Sequence, residues 1–125
     1  MVDEAEERTP PLTVQVRTLP EAVVVAAAGD LDLGSAPMLR TRARDALDGR
    51  PGALIVDLGG ITFCGSAGLQ VLAELIAETE AAALPFAVVT ERRAVLRALE
   101  LTRLDAALAV HPTVAGAREW IRGGS

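Results

Sequence analysis

Leu12, Val14 and Val16 alternate with Thr13, Gln15 and Arg17, a period of two that predicts a strand buried on one side. Residues 22–28 are apolar at every position and predict a strand covered on both faces. Gly29-Asp30-Leu31-Asp32 reads as the turn that ends it. The period then lengthens. Leu39, Ala43, Ala46 and Leu47 recur at helical spacing after Ser35 as cap and Pro37 in the first turn, with Gly49 as the stop.

A second apolar strand follows at 53–58, and a glycine-punctuated turn leads from it into a helix at Ser66. In that helix Leu69, Leu72, Leu75 and Ile76 point inward, while Gln70, Glu74, Ala77, Glu78 and Ala81 form the outer stripe. Downstream lie a strand at 86–89 opened by Pro85, a helix at 92–100 with Val95, Leu96 and Leu99 inward, and a short strand at 107–110. A last helix at 113–121 presents Val114, Ala117 and Ile121. Strands alternating with helices predict a single α/β domain: a mixed, mostly parallel sheet of about five strands with about four helices. Residues 1–10 read as a disordered tail and 11–122 as the domain.

Composition narrows the function classes. The net charge of −5 argues against nucleic acid and acidic lipid as partners. No apolar run approaches the ~18–20 residues of a membrane span, and the acidic N-terminus is unlike a secretory leader. With one cysteine, Cys64, no internal disulfide can form, and the expectation is a cytoplasmic protein. All 12 cations are arginine, and Arg40, Arg42 and Arg44 read as a solvated helix face.

Ser66 is one of three serines, with Ser35 and Ser125, and stands at a helix entrance, where unpaired N–H groups and the macrodipole favour negative charge. A cap hydroxyl is the ordinary use of such a residue. Catalysis fits poorly. A nucleophile elbow needs glycine where Cys64 stands, and Ser66, Asp105 and His111 share only the chain order of a triad. One histidine and one cysteine do not make a metal site, and no phosphate-binding fingerprint follows Gly59-Gly60. Cys64 reads as a small buried hydrophobe, or as a redox handle if the helix N-terminus lowers its pKa.

The run from Ala53 through Val56-Asp57-Leu58-Gly59-Gly60-Ile61-Thr62-Phe63-Cys64-Gly65-Ser66-Ala67-Gly68-Leu69 resembles the signature of the STAS domain, the bacterial anti-sigma factor antagonists. That signature runs (I/V)-(V/L)-(D/N)-L-x-x-(V/I)-x-F-(hydrophobic)-D-S-(S/T)-G-L. Gly29-Asp30-Leu31-Asp32 resembles the element before the family's first helix, and 95–104 its C-terminal helix. The family's acid before the serine is Gly65 here, and the following Ser or Thr is Ala67, which leaves Ser66 as the one candidate acceptor in the loop.

The resemblance implies a binding protein and not an enzyme, without cofactor or metal. Its unmodified form would bind an anti-sigma factor serine kinase and so release a sigma factor. Phosphorylation of Ser66 would end binding, and a PP2C-type phosphatase would reset it. By position, Asp32 is the acid facing Ser66, Gly65, Ala67 and Gly68 belong to the switch surface with the glycines admitting the partner to the backbone, and Gln70 and Glu74 form a docking edge. A phosphate ~6 Å from Asp32 would repel it by of order 4 kcal/mol at a dielectric of ~20. A hundredfold loss of affinity needs only about 2.7 kcal/mol. The alternative is a STAS scaffold or nucleotide- or ligand-binding module that is never phosphorylated.

Overall fold

A computed structural model describes residues 12–123; the expected tail at 1–10 lies outside the described residues. The elements are β1 (Thr13–Thr18), β2 (Val23–Leu31), α1 (Ala36–Asp48), β3 (Leu54–Cys64), α2 (Ser66–Ala81), β4 (Phe86–Val89), α3 (Arg93–Leu101), a 3-10 turn (Leu104–Ala106), β5 (Ala109–His111) and α4 (Val114–Gly123). The five strands form one sheet in sequential order. β1 runs antiparallel to β2, and β2 through β5 are mutually parallel. The expected fold class holds.

Alternation along the strands sorts the core. Val23, Val25 and Ala27 of β2 and Leu54, Val56 and Leu58 of β3 face one side, where α1, α2 and α3 deliver Leu39, Ala43, Leu72, Leu75, Val95 and Leu99. Val24 and Ile55 face the other side, together with Ala87 and Val89 of β4, and meet Ala117 of α4. Burial at roughly 25 cal/mol per Å² of apolar surface makes the larger side the main source of stability. The inward face of α2 is wider than the sequence pattern indicates: Val71 is fully buried while Leu69 is only half-buried. Leu96 of α3 is likewise half-buried, so Val95 and Leu99 carry that helix.

Two expected turns are strand. β2 continues through Gly29 and Asp30 to Leu31, and β3 continues through Gly59 and Gly60 to Cys64. The two extensions pair with each other, with register shifts that set Ala28 opposite Gly60, Asp30 opposite Phe63 and Leu31 opposite Cys64. A Cβ on Gly60 would lie 2.8 Å from that of Ala28, so the glycine marks a close strand approach rather than a reversal. Thr62 Oγ1 donates to Asp30 Oδ1 at 2.6 Å across the same pair. The stop of α1 also differs: Gly49 keeps φ −76°, and the left-handed residue is Arg50 at φ 56°.

Candidate functional site

The paired extensions bring two distant loops side by side. Beyond Leu31, Asp32 turns the chain into α1: its Oδ1 accepts from Ser35 N at 3.0 Å and from Ser35 Oγ at 3.1 Å. Ser35 Oγ accepts from Asp32 N, and its single proton is shared between Asp32 Oδ1 and the nearer Asp30 O at 2.8 Å. Ser35 and Asp32 thus brace the helix entrance together, and the expected side-chain cap from Ser35 alone does not form. Beyond Cys64, Gly65 N donates to Leu31 O at 2.9 Å, which locks the second loop to the first.

Gly65, not Ser66, is the N-cap residue of α2, and no side chain caps that end. Ser66 is therefore the first helical residue, exposed to solvent. It lines a bowl of about 630 Å³ with Asp32, Leu33, Ala36, Pro37, Arg40, Phe63, Gly65, Ala67 and Gln70. The structure thus joins Asp32, Gly65, Ser66, Ala67 and Gln70 in one site. Its rim is apolar as well as acidic: Leu33 is 83% exposed and Phe63 54%. Two exposed large hydrophobic side chains on the rim of one cavity are the kind of surface that a protein partner covers.

Three expected roles change. Gly68 is buried and outside the bowl; a Cβ there would fall 2.6 Å from Leu31 Cγ and Cδ2 and 3.1 Å from Cys64 Sγ. It seats α2 against β2. Glu74 is not a free docking edge. Its carboxylate accepts from Arg40 Nε at 2.7 Å and Nη2 at 3.2 Å, with Gln70 Nε2 at 3.5 Å. The Arg40 guanidinium beside it holds the Glu74 carboxyl below the usual carboxylate range. Cys64 is half-buried, and burial pushes its thiol pKa up, opposite to the lowering that a redox role needs.

The arginines of α1 also have partners. Arg44 Nη2 lies 2.6 Å from Glu78 and 3.9 Å from Glu74, and Arg42 donates to Val14 O. The face is solvated, with Arg44 48% exposed, but its cations are paired. The triad order breaks down in space: neither Asp105 nor His111 lines the bowl, and His111 packs tilted against Trp120 of α4, ring centroids 5.7 Å apart at 42°. Among the described residues no group of three or more His, Cys, Asp or Glu is placed to hold a metal ion, and no helix is long and apolar enough to cross a membrane.

Ser66, in the first turn of the helix after β3, and Asp32, from the loop after β2, thus line the same bowl. The sequence model of the STAS domain matches residues 13–117. The chain belongs to the STAS domain family. Among relatives of this STAS chain, a Mycobacterium tuberculosis protein named anti-sigma-F factor antagonist RsfB is 30% identical over 113 residues, 90% of this chain and 92% of its own. An anti-sigma factor antagonist from Mycobacterium paratuberculosis superposes with a TM-score of 0.81 at 30% identity, covering 89% of this chain and 94% of its own. The Bacillus cell fate determinant SpoIIAA in its phosphorylated form shares the fold, with a TM-score of 0.70 at 20% identity over 88% of this chain and 100% of its own.

Sequence reasoning missed Leu33, Phe63 and Arg40. Phe63 lies inside a segment read as a turn and Leu33 directly after one, and large apolar residues in such places were the available signal. Nothing local marked Arg40, whose partner lies 34 residues away.

Proposed function

We propose that this protein is an anti-sigma factor antagonist that works in the cytoplasm as a phosphorylation-controlled docking domain. The unmodified bowl seats a kinase-type anti-sigma factor, with Leu33 and Phe63 as apolar anchors and Asp32 and Gln70 as polar contacts. The observation that carries this reading is the exposed Ser66 hydroxyl in one cavity with Asp32 and two exposed apolar side chains. The relatives' names supply the class of partner.

The switch is electrostatic. The kinase transfers the γ-phosphoryl group of ATP to Ser66 Oγ; the Oγ–P bond forms, the bond to the ADP oxygen breaks, and the hydroxyl proton leaves. A PP2C-type phosphatase reverses the state with water, returning the serine and inorganic phosphate. In the free protein the phosphate, about −1.5 to −2 in charge, faces solvent and gains about 0.3–1 kcal/mol from the N-terminus of α2. Docking removes that water and forces the charge beside Asp32 at lower effective dielectric, where repulsion reaches several kcal/mol. The penalty therefore falls on the complex, and large rearrangement is unnecessary.

Incubation with the host's kinase-type anti-sigma factors and ATP, read by intact mass, tests the reading. One added phosphate on Ser66 with loss of the complex supports it. A phosphorylated protein that still binds refutes the switch. Binding with no phosphate added would support the scaffold alternative, which draws on glycine and alanine at positions 65 and 67 where the family pattern has an acid and a hydroxyl.

A further inference from the structure

Ser66, Gln70 and Glu74 lie four residues apart on α2 and form one stripe up its exposed side. At 1.5 Å per residue the stripe climbs about 6 Å from Ser66 to Gln70 and about 12 Å to Glu74. α1 lies alongside it, with Arg40 level with Glu74 and Arg44 level with Glu78. Among the described residues, Arg40 is the one cation that both belongs to this ladder and lines the bowl with Ser66 and Gln70. We propose that Arg40 is the receiver of the Ser66 phosphate: on phosphorylation its guanidinium leaves Glu74 for the new anion, with Gln70 following. The proposal rests on Ser66 being the modified residue and adds how the modification is held.

Three observations support the exchange. The competitor is weaker, because Glu74 offers one charge and two oxygens while a phosphoserine offers nearly two charges and three oxygens in a geometry that suits the guanidinium fork. The arginine can move: its side chain is 31% exposed and it already lines the bowl with Ser66. The rise of about 12 Å from Glu74 to Ser66, a little over two helical turns, is divided between the swing of the long side chain and the reach of the phosphoserine. Glu74 is not abandoned, because Arg44 Nη2 already stands 3.9 Å from Glu74 Oε1 and can take it over. The Gln70 amide, now 3.5 Å from Glu74 Oε2, sits midway along the stripe and needs only to turn toward Ser66. Arg40 thus gives the free phosphoprotein a resting state that docking would have to break.

The test uses the full chain with phosphoserine installed at position 66 during translation, so that it does not depend on any kinase. The phosphate's second ionisation is followed by phosphorus NMR against pH. Arg40 favours the dianion, so Arg40→Gln should raise that pKa by about 0.5–1 unit over the unsubstituted phosphoprotein. Arg42→Gln removes the same charge from a residue bound to Val14 instead and should leave the titration nearly unchanged. If Arg40→Gln titrates like Arg42→Gln, the assignment is overturned. Should Arg40→Gln fail to fold, Glu74→Gln reads the same equilibrium with opposite sign. It frees Arg40 and should lower the phosphate pKa by more than Glu78→Gln, which removes a charge one turn further away; equal shifts overturn the assignment. Failure of the phosphorylation reading itself would appear elsewhere, as the missing phosphate in the kinase incubation.

Discussion

Two seams of this molecule use arginine–glutamate pairs and end in different places. On α4, Arg118 and Arg122 both converge on Glu21 Oε2, at 2.6 and 2.8 Å. One carboxylate takes two guanidinium groups and pins the helix to the chain just before β2. Between α1 and α2, by contrast, Arg40 and Arg44 each have a carboxylate of their own, and Arg44 reaches toward a second. That ladder opens at one end into the bowl that holds Ser66. Both charged arms of the first seam end on a single acceptor, so it can only hold. The second has a spare pairing and an exposed serine hydroxyl in the bowl beside it, so phosphorylation there, as proposed, would give it something to respond to. Charge pairs at a surface contribute little stability by count; what separates these two is the geometry each leaves unused.

The sharpest break of that comparison is Ser66→Asp. A fixed negative charge in the bowl should weaken binding of the anti-sigma partner by about a hundredfold or more, equivalent to about 2.7 kcal/mol, while Ser66→Ala keeps the affinity and cannot be phosphorylated. Titration calorimetry reads both, and unchanged binding by the aspartate variant would sink the switch. Next in size is Gly68→Ala, beneath the bowl. The added methyl would meet Leu31 at 2.6 Å, and overpacking of this kind costs about 1–3 kcal/mol. The urea midpoint should fall; an unaltered midpoint would mean that α2 has room to shift and that the bowl lacks a rigid floor.

Phe63→Ala asks whether the exposed apolar rim is used. The ring is over half exposed, so its loss should leave the melting temperature nearly unchanged yet reduce partner affinity by about tenfold, or 1.4 kcal/mol. Equal affinity for the alanine variant would remove Phe63 from the interface. Substitutions on the α4 seam should show the reverse, touching stability and leaving binding alone.

Much of this contrast was hidden from one-dimensional reading, for definite reasons. The apolar strands, the amphipathic helices and their order follow from local periodicity, and the structure keeps them. The meeting of Asp32 with Ser66 does not. Those residues are 34 apart in sequence, and only the parallel pairing that sets Leu31 beside Cys64 joins their loops; the family signature, not the spacing, pointed to it. Gly29, Gly59 and Gly60 read as turns because glycine usually punctuates, whereas cross-strand pairing made them strand. Arg40 with Glu74 and Arg44 with Glu78 are also 34 residues apart. No local pattern announces a contact made when two separately formed helices dock. Leu33 and Phe63 were visible as apolar residues in or directly after turn-like segments, yet hydropathy alone does not say whether a side chain is buried or offered to a partner.

The smallest effect falls on the saturated seam and tests its passivity. Hydrogen bonding from Arg118, aided by the charge of Arg122, holds the Glu21 carboxyl below its ordinary value of 4.5. A carboxylate whose folded pKa is depressed adds stability above the unfolded pKa and loses it as pH falls through the folded one. Glu21→Gln should therefore lower the melting temperature at neutral pH, by a few degrees at most because both arginines stay partly in solvent. The difference from the unsubstituted protein should begin to shrink as the pH drops below about 4.5 and vanish under stronger acid. Partner affinity at neutral pH should not change. Thermal melts across that range decide the matter: a gap that persists in strong acid would show that Glu21 acts by packing rather than charge. A loss of partner binding would show that the α4 seam communicates with the bowl, and the distinction between a seam that holds and one that responds would then fall.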